Sequence, residues 1–190
     1  MPAAPGRRYV GLVLLFSAET GEPLAIFPDG VMQRIRVGAT NGLGVKYLAR
    51  KEAKSVGILG SGWQAGTQLT AVCAVRKIET IRCFSPNRGH CTAFAKEMSG
   101  ALGIDVVPAA TADEAVAAAD IVMCATNSIE PVFFARWIAP GMHLSAIKLP
   151  EIEGEAIARA DRLVIHTHDA KPLHVAAKEL AVPESAEGRG

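Results

Sequence analysis

A chain of 190 residues, 49% hydrophobic and 21% charged, has the composition of one globular domain with enough apolar residues for a sizeable core. A formal net charge of +1 leaves no basic excess to neutralise a phosphate backbone, which argues against nucleic acid as a partner. The apolar stretch from Tyr9 to Phe16 is far short of the roughly 20 residues needed to cross a bilayer, which excludes a transmembrane helix.

At the front of the chain, Arg7 and Arg8 precede an apolar run, Val10–Ala18, in a way that imitates a secretory signal. A hairpin uses the same residues more completely. Val10–Phe16 is followed by Glu19-Thr20-Gly21-Glu22-Pro23 and then Leu24–Phe27, which reads as strand, turn, strand. Pro28-Asp29-Gly30 is a turn signal, and Val31–Arg50 reads as a helix with an apolar stripe of Ile35, Ala39, Leu43 and Tyr47, extended by Leu48. Glycines 38, 42 and 44 weaken that helix by about 1 kcal/mol each, so something is expected to pack against its backbone, either a ligand or a neighbouring helix.

From Ser55 onward, short β-branched runs alternate with Ala-rich helical stretches. The strands are expected at Ser55–Leu59, Thr80–Phe84, Ile104–Val107, Asp120–Ala125, His143–Ile147 and Arg162–His166. Helices are expected near Gln64–Val75, Arg88–Leu102, Ala112–Ala118, Gly154–Ala158 and Ala170–Glu179. Strands separated by helices pair in parallel through right-handed crossovers, and nearly continuous apolar strands fit a sheet covered on both faces. The fold class is therefore α/β, a Rossmann-like doubly wound parallel sheet with an N-terminal β-hairpin and helix. Residues 1–50 are read as the hairpin and linking helix, 51–180 as the nucleotide-binding domain and 181–190 as a disordered tail. The four cysteines (Cys73, Cys83, Cys91, Cys124) show no C-x-x-C spacing and read as reduced thiols of a cytoplasmic protein.

The most informative segment follows the first strand of this series. Gly60-Ser61-Gly62-Trp63-Gln64-Ala65 is the G-x-G-x-x-A form of the dinucleotide fingerprint, placed between a strand and a helix. Gly60 permits the tight turn, Gly62 lets backbone N–H groups approach a pyrophosphate, and Ala65 allows close helix–strand packing. The anion then rests on the positive end of the helix. About 20 residues further on, where an Asp or Glu would hold the ribose 2′-hydroxyl of NAD, the chain reads Phe84-Ser85-Pro86-Asn87-Arg88. Ser85 and Asn87 can donate hydrogen bonds and Arg88 offers a fork suited to phosphate, so NADP is favoured over NAD.

At this point the chain resembles the ornithine cyclodeaminase/mu-crystallin family. The resemblance is carried by Gly11–Leu15 through Thr20-Gly21-Glu22-Pro23, by Asp29-Gly30 leading to Arg36-Val37-Gly38-Ala39-Thr40, and by the glycine loop. Asp120-Ile121-Val122 to Ala125-Thr126-Asn127-Ser128 and Trp137 to Pro140-Gly141-Met142-His143 complete it in the family's order. It implies an NAD(P)-dependent oxidoreductase that moves hydride at an amine-bearing carbon of an amino acid or cyclic imine, and a homodimer. It assigns Arg36 to the substrate carboxylate and Ala125, Thr126 and Asn127 to the turn flanking the nicotinamide ribose.

The chain departs from the family in ways that limit the transfer. Only the last hairpin of the family's substrate and dimerisation region is present, so the front looks truncated. Gln33 stands where a Thr is common, and Val37 where Thr often follows the arginine. The loop Ser145–Glu151 lacks the glycine-rich, Asp-containing stretch that carries the cyclodeaminase carboxylate, its place being taken by Lys148 together with Glu151. Lys148 is therefore the candidate catalytic residue, and imine reduction or amine oxidation is expected rather than cyclodeamination. Without that stretch or the front region, a noncatalytic NADP(H)-binding module is the alternative. The cluster His166, His168, Asp169 and His174 suits a polar loop or a substrate contact better than metal, and no metal site is expected; His90 and His143 read as exposed or structural.

Overall fold

The computed structural model describes residues 11–165. The hairpin forms as expected, with β1 (Leu12–Phe16) antiparallel to β2 (Pro23–Pro28). A long helix, α1 (Asp29–Leu48), leads from it into a five-stranded parallel sheet. The sheet is built from β3 (Ser55–Leu59), β4 (Thr80–Phe84), β5 (Val106–Pro108), β6 (Ile121–Cys124) and β7 (His143–Ala146). Their spatial order is β5-β4-β3-β6-β7, so the chain steps outward one way from β3 and then returns to continue the other way from β6. That reversal defines a switch point between β3 and β6, and it makes the domain a Rossmann-like fold.

The connecting helices are α2 (Trp63–Val75), α3 (Arg88–Leu102), α4 (Ala112–Val116) and α5 (Gly154–Ala158), with short 3-10 turns at Ala135–Trp137 and Leu149–Glu151. Their ends follow local chemistry. Asn87 caps α3 by accepting from the His90 N–H at 2.9 Å, and Gly103 closes the same helix at φ +66°. Thr111 caps α4 by accepting from the Glu114 N–H.

Alternation along the strands separates two cores. Val56, Ile58, Ile121 and Met123 face α1, α2 and α3, whereas Leu59, Val122 and Cys124 face α4, Phe133 and Ala156. A Cβ on Gly57 would run into the carbonyl of Ala115, so this glycine lets α4 lie directly on β3.

Helix α1 packs against α2, which answers what its glycines are for. Added Cβ atoms at Gly38 and Gly42 would lie 2.7 Å from the Thr67 carbonyl oxygen and 3.0 Å from the Ala71 Cβ. Gly30 meets the Trp63 ring in the same way, so the two helices run parallel and in close contact along their length. Gly44 meets nothing within 4 Å, and packing gives no reason for it. At the far end Arg76 gathers the last carbonyls of α1, its Nη2 donating to Val45, Lys46 and Ala49 and its Nε to Arg50, all at 2.9–3.1 Å. Because α1 docks through its small residues, the bulky stripe faces outward. Ile35, Leu43 and Tyr47 are 59%, 54% and 73% exposed, and the hairpin leucines Leu12, Leu14, Leu15 and Leu24 are exposed as well.

The strand expected at Arg162–His166 is absent over the described residues 162–165, where Leu163, Val164 and Ile165 are exposed. A β-branched run becomes a strand only when a neighbouring ladder takes it up, and among the described residues β7 pairs with β6 alone. His166, His168 and His174, the helix expected at Ala170–Glu179 and the tail at 181–190 lie outside the described residues.

The N-terminal ends of β3 and β6 are tied by Asp120. Its carboxylate accepts from the Arg50 guanidinium at 2.6 Å, from the Lys54 and Ser55 N–H groups and from the Ser55 hydroxyl. Those backbone donors, the hydroxyl and the Arg50 charge hold the Asp120 carboxyl below its ordinary pKa.

Candidate nucleotide-binding site

The opposite, C-terminal ends of the strands are stitched together by the loops that leave them. The Gly60 N–H donates to the Phe84 carbonyl and the Ala125 N–H to the Leu59 carbonyl, both at 2.8 Å. This brings the glycine loop, the turn after β4 and the turn after β6 to one edge, at the switch point where ligands bind in open α/β sheets.

Gly60 has φ +115°, and a Cβ there would collide with the Ala125 carbonyl and approach the Thr126 methyl at 3.3 Å. No other residue type fits this position without strain. Gly62 occupies the N-cap of α2 with nothing within 4 Å of its missing Cβ, no side chain caps the helix, and its first turn carries no acid. The positive end of α2 is thus open for an anion. Ala65 is fully buried against β3, as the fingerprint requires. Ser61 and Gln64 lie beside it, and the Gln64 Oε1 is buried with no partner among the described residues.

Trp63, 47% exposed, carries a feature that no sequence motif announces. The Arg34 guanidinium stacks on its ring at 4.7 Å, with the buried Arg34 Nε unpartnered among the described residues. Arg34, Ser61, Gly62 and Trp63 line the mouth of a cleft of about 580 Å³ that runs between α2 and α3 past the exposed His90 and Glu97. Arg36, expected at the substrate, stands exposed on α1, and its carbonyl accepts from the Thr40 hydroxyl.

A smaller cavity of about 160 Å³ opens beside the turn after β4. It is lined by Phe84, Ser85, Pro86, Arg88 and Cys91 from one side and by Pro108 to Ala110 from the other. No acid borders it. Asn87 is exposed near it, but its side-chain oxygen is committed to capping α3. Beneath the cavity the thiols of Cys83 and Cys91 lie 3.6 Å apart, and burial pushes Cys83 up to about 12.

On the β6 side the turn Ala125-Thr126-Asn127 is held by Glu151, a carboxylate with 0% exposure. Glu151 Oε1 accepts from both the N–H and the hydroxyl of Thr126 at 2.6 Å, and Oε2 accepts from the Lys148 N–H at 3.0 Å. The Lys148 ammonium, half-buried rather than solvated, donates to the Ser128 carbonyl at 2.6 Å. Glu151 is therefore turned inward and does not present its carboxylate to the opening. Burial and the charge of Glu151 raise the neighbouring Cys124 thiol, keeping it neutral. Burial lowers the pKa of His143 at the start of β7, and the Arg76 charge adds to this.

Among the described residues no cluster of three or more His, Cys, Asp or Glu is placed to hold a metal ion, and no helix is long and apolar enough to cross a membrane.

The fold, the positive φ of Gly60 and the uncapped helix define a Rossmann-type dinucleotide-binding architecture. The chain belongs to the ornithine cyclodeaminase/mu-crystallin family, whose model matches residues 4–171. It is 35% identical over 165 residues to a Delta(1)-pyrroline-2-carboxylate reductase of Bacillus cereus, covering 84% of this chain and 50% of the relative. Among solved structures it resembles Thermococcus litoralis Delta(1)-pyrroline-2-carboxylate reductase in complex with NADH and L-proline. The TM-score is 0.76 at 38% identity, over 78% of this chain and 48% of the other. An archaeal alanine dehydrogenase dimer with bound NAD matches at TM-score 0.65 and 33% identity, over 70% and 41% of the two chains. The chain thus spans about half the length of the relatives it matches.

Proposed function

We propose that this chain is the nucleotide-binding part of an NAD(P)-dependent oxidoreductase that reduces a cyclic imine acid or oxidises the corresponding amino acid. The observation that carries the reading is the cradle at Gly60, where only a glycine fits against the Ala125 carbonyl and the positive end of α2 stands open. The reductase relatives support the reaction class. The nicotinamide cofactor, when bound, supplies the hydride.

This chain's residues do the positioning. Gly60 to Ala65 hold the pyrophosphate on backbone N–H groups. Ser85 and Arg88 border the acid-free cavity suited to a 2′-phosphate, with the Asn87 side-chain nitrogen as a further donor, so NADP is the cofactor in this reading. Ala125, Thr126 and Asn127 flank the ribose on the nicotinamide side. Arg36 meets the substrate carboxylate through its planar fork. Lys148 gives a proton to the nitrogen of the reduced product. Its ammonium carries three donors, of which Ser128 engages one. Ring closure with loss of ammonia is not part of this reading, because the nearby carboxylate, Glu151, is sealed inside.

Residues 1–50 then belong to a remnant of a substrate-binding and dimerisation region, and 51–180 to the cofactor-binding domain. The exposed leucines of the hairpin favour a homodimer, and the four free thiols suit the cytoplasm.

The second reading, a nucleotide-binding module without chemistry, is favoured by the engagement of Lys148 with Ser128. One experiment separates the two. Purified chain is titrated with NADH and NADPH by fluorescence, then incubated with a cyclic imine acid and NADPH, and separately with ornithine and NAD(P)⁺. Slow imine-dependent oxidation of the cofactor is expected from a chain that spans about half of its relatives. Binding without turnover supports the module. Proline and ammonia from ornithine, or no cofactor binding, overturns the proposal.

A further inference from the structure

We infer that Glu151 is a positioning residue, whose carboxylate sets the Thr126 turn against the glycine loop and so governs how the half of the dinucleotide beyond the pyrophosphate is held. The inference rests on the nucleotide-binding reading above.

A carboxylate with no exposed surface is costly to bury unless its charge is met by close donors. No cation lies within ion-pair distance of Glu151 among the described residues. The nearest lysine, Lys148, sends its ammonium to Ser128 instead and offers Glu151 only its backbone N–H. The charge is therefore met by three N–H or O–H donors, two of them from Thr126. Bonds of 2.6 Å from the backbone and the hydroxyl of one residue to one oxygen fix that residue's backbone and rotamer together.

The bond directions then run on through the turn. With its O–H donating to Glu151, the Thr126 hydroxyl oxygen accepts from the Ser128 N–H at 3.1 Å, and Ser128 is in turn held by Lys148. The product of this chain of bonds is the position of the Thr126 backbone against the glycine loop, its methyl 3.3 Å from where a Cβ on Gly60 would lie. Strand order assigns the two halves of the ligand. The glycine loop leaves β3, the adenosine-side cavity opens beside β4, and the remaining half falls over β6. Glu151 thus acts on one half only, and through Thr126.

The test compares two ligands in four proteins. NADH and ADP are titrated into the parent chain, Glu151→Gln, Thr126→Val and the double variant. Glutamine keeps the volume but turns an amide N–H₂ toward the Lys148 N–H or toward Thr126, where a donor is already present. Each single variant is expected to weaken NADH binding about tenfold, the effect of losing a hydrogen bond to a charged group, while ADP changes by less than about twofold. The double variant is expected to bind NADH no more weakly than the weaker single, because both act through the same contact. Equal losses for ADP and NADH, multiplied losses in the double variant, or unchanged NADH affinity overturns the inference. If Glu151→Gln does not fold, Thr126→Val carries the NADH and ADP comparison, with Thr126→Ser expected to restore parent affinity. A parent chain that binds neither ligand overturns the nucleotide-binding reading itself, whereas a parent that binds both, with variants that break the pattern, overturns only the role of Glu151.

Discussion

Alanine placed at each of three glycines of α1 should change stability with different signs. Replacing an interior helical glycine by alanine stabilises by about 1 kcal/mol when the site is free, because the unfolded chain loses conformational freedom. At Gly44 nothing lies within 4 Å, so Gly44→Ala should gain most of that amount. At Gly42 the new methyl would sit 3.0 Å from the Ala71 Cβ and 3.2 Å from its carbonyl oxygen, a squeeze of a few tenths of an ångström that should cancel the gain. At Gly38 the methyl would lie 2.7 Å and 2.8 Å from the carbonyl oxygen and carbon of Thr67. Those are backbone atoms of another helix and cannot rotate away. Overpacking of this kind costs about 1–3 kcal/mol, so after the propensity gain the net change should be a loss of up to about 2 kcal/mol. Denaturant unfolding of the three variants reads the order directly, with Gly38→Ala lowest and Gly44→Ala highest. Equal midpoints, or a reversed order, would refute the claim that α1 docks on α2 through its glycine face.

Two further outcomes follow from the site and from the sheet. NADPH should bind more tightly than NADH, and Arg88→Asp should cost about tenfold in NADPH affinity while leaving NADH little changed, read by fluorescence titration; equal affinities in the parent would defeat the assignment. Asp120 has a lowered pKa in the folded state, so it binds fewer protons than in the unfolded chain and stability rises with pH across its titration. Its contribution is fully present above about pH 4 and is lost as pH falls through the lowered value, so Asp120→Asn should be less stable at neutral pH and show a flatter acid limb in pH-dependent unfolding.

What could be read from the sequence was whatever is decided locally. The glycine loop sits between a run of β-branched residues and an Ala-rich helix, and Gly60, Gly62 and Ala65 occupy the positions their chemistry requires. Most strand ends lie within a residue or two of expectation because turns and caps such as Asn87 and Gly103 are short-range. The glycines of α1 pointed to close packing against its backbone, but not to α2 as the partner. Hydrophobic periodicity points to its large residues, whereas the packed side is the one small enough for α2 to approach. In the stretch Lys148-Leu149-Pro150-Glu151 the sequence marks the two polar residues but not that Glu151 is sealed inside, which depends on Thr126, 25 positions away. The stacking of Arg34 on Trp63 likewise joins a helix residue to a loop residue with no local signature.

Parallel packing of α1 and α2 also has an electrical consequence. Antiparallel neighbours cancel their dipoles; here the two add. Each N-terminus contributes the equivalent of about half an elementary charge, so the pair presents about one positive charge at the end where Gly30 meets Trp63, carried by peptide groups. Peptide groups do not titrate, and this attraction for an anion holds at every pH at which the helices persist. At the other end the doubled negative potential falls on the carbonyls that Arg76 collects, so one guanidinium balances the two helices there while the glycine-loop end is left for the ligand to balance.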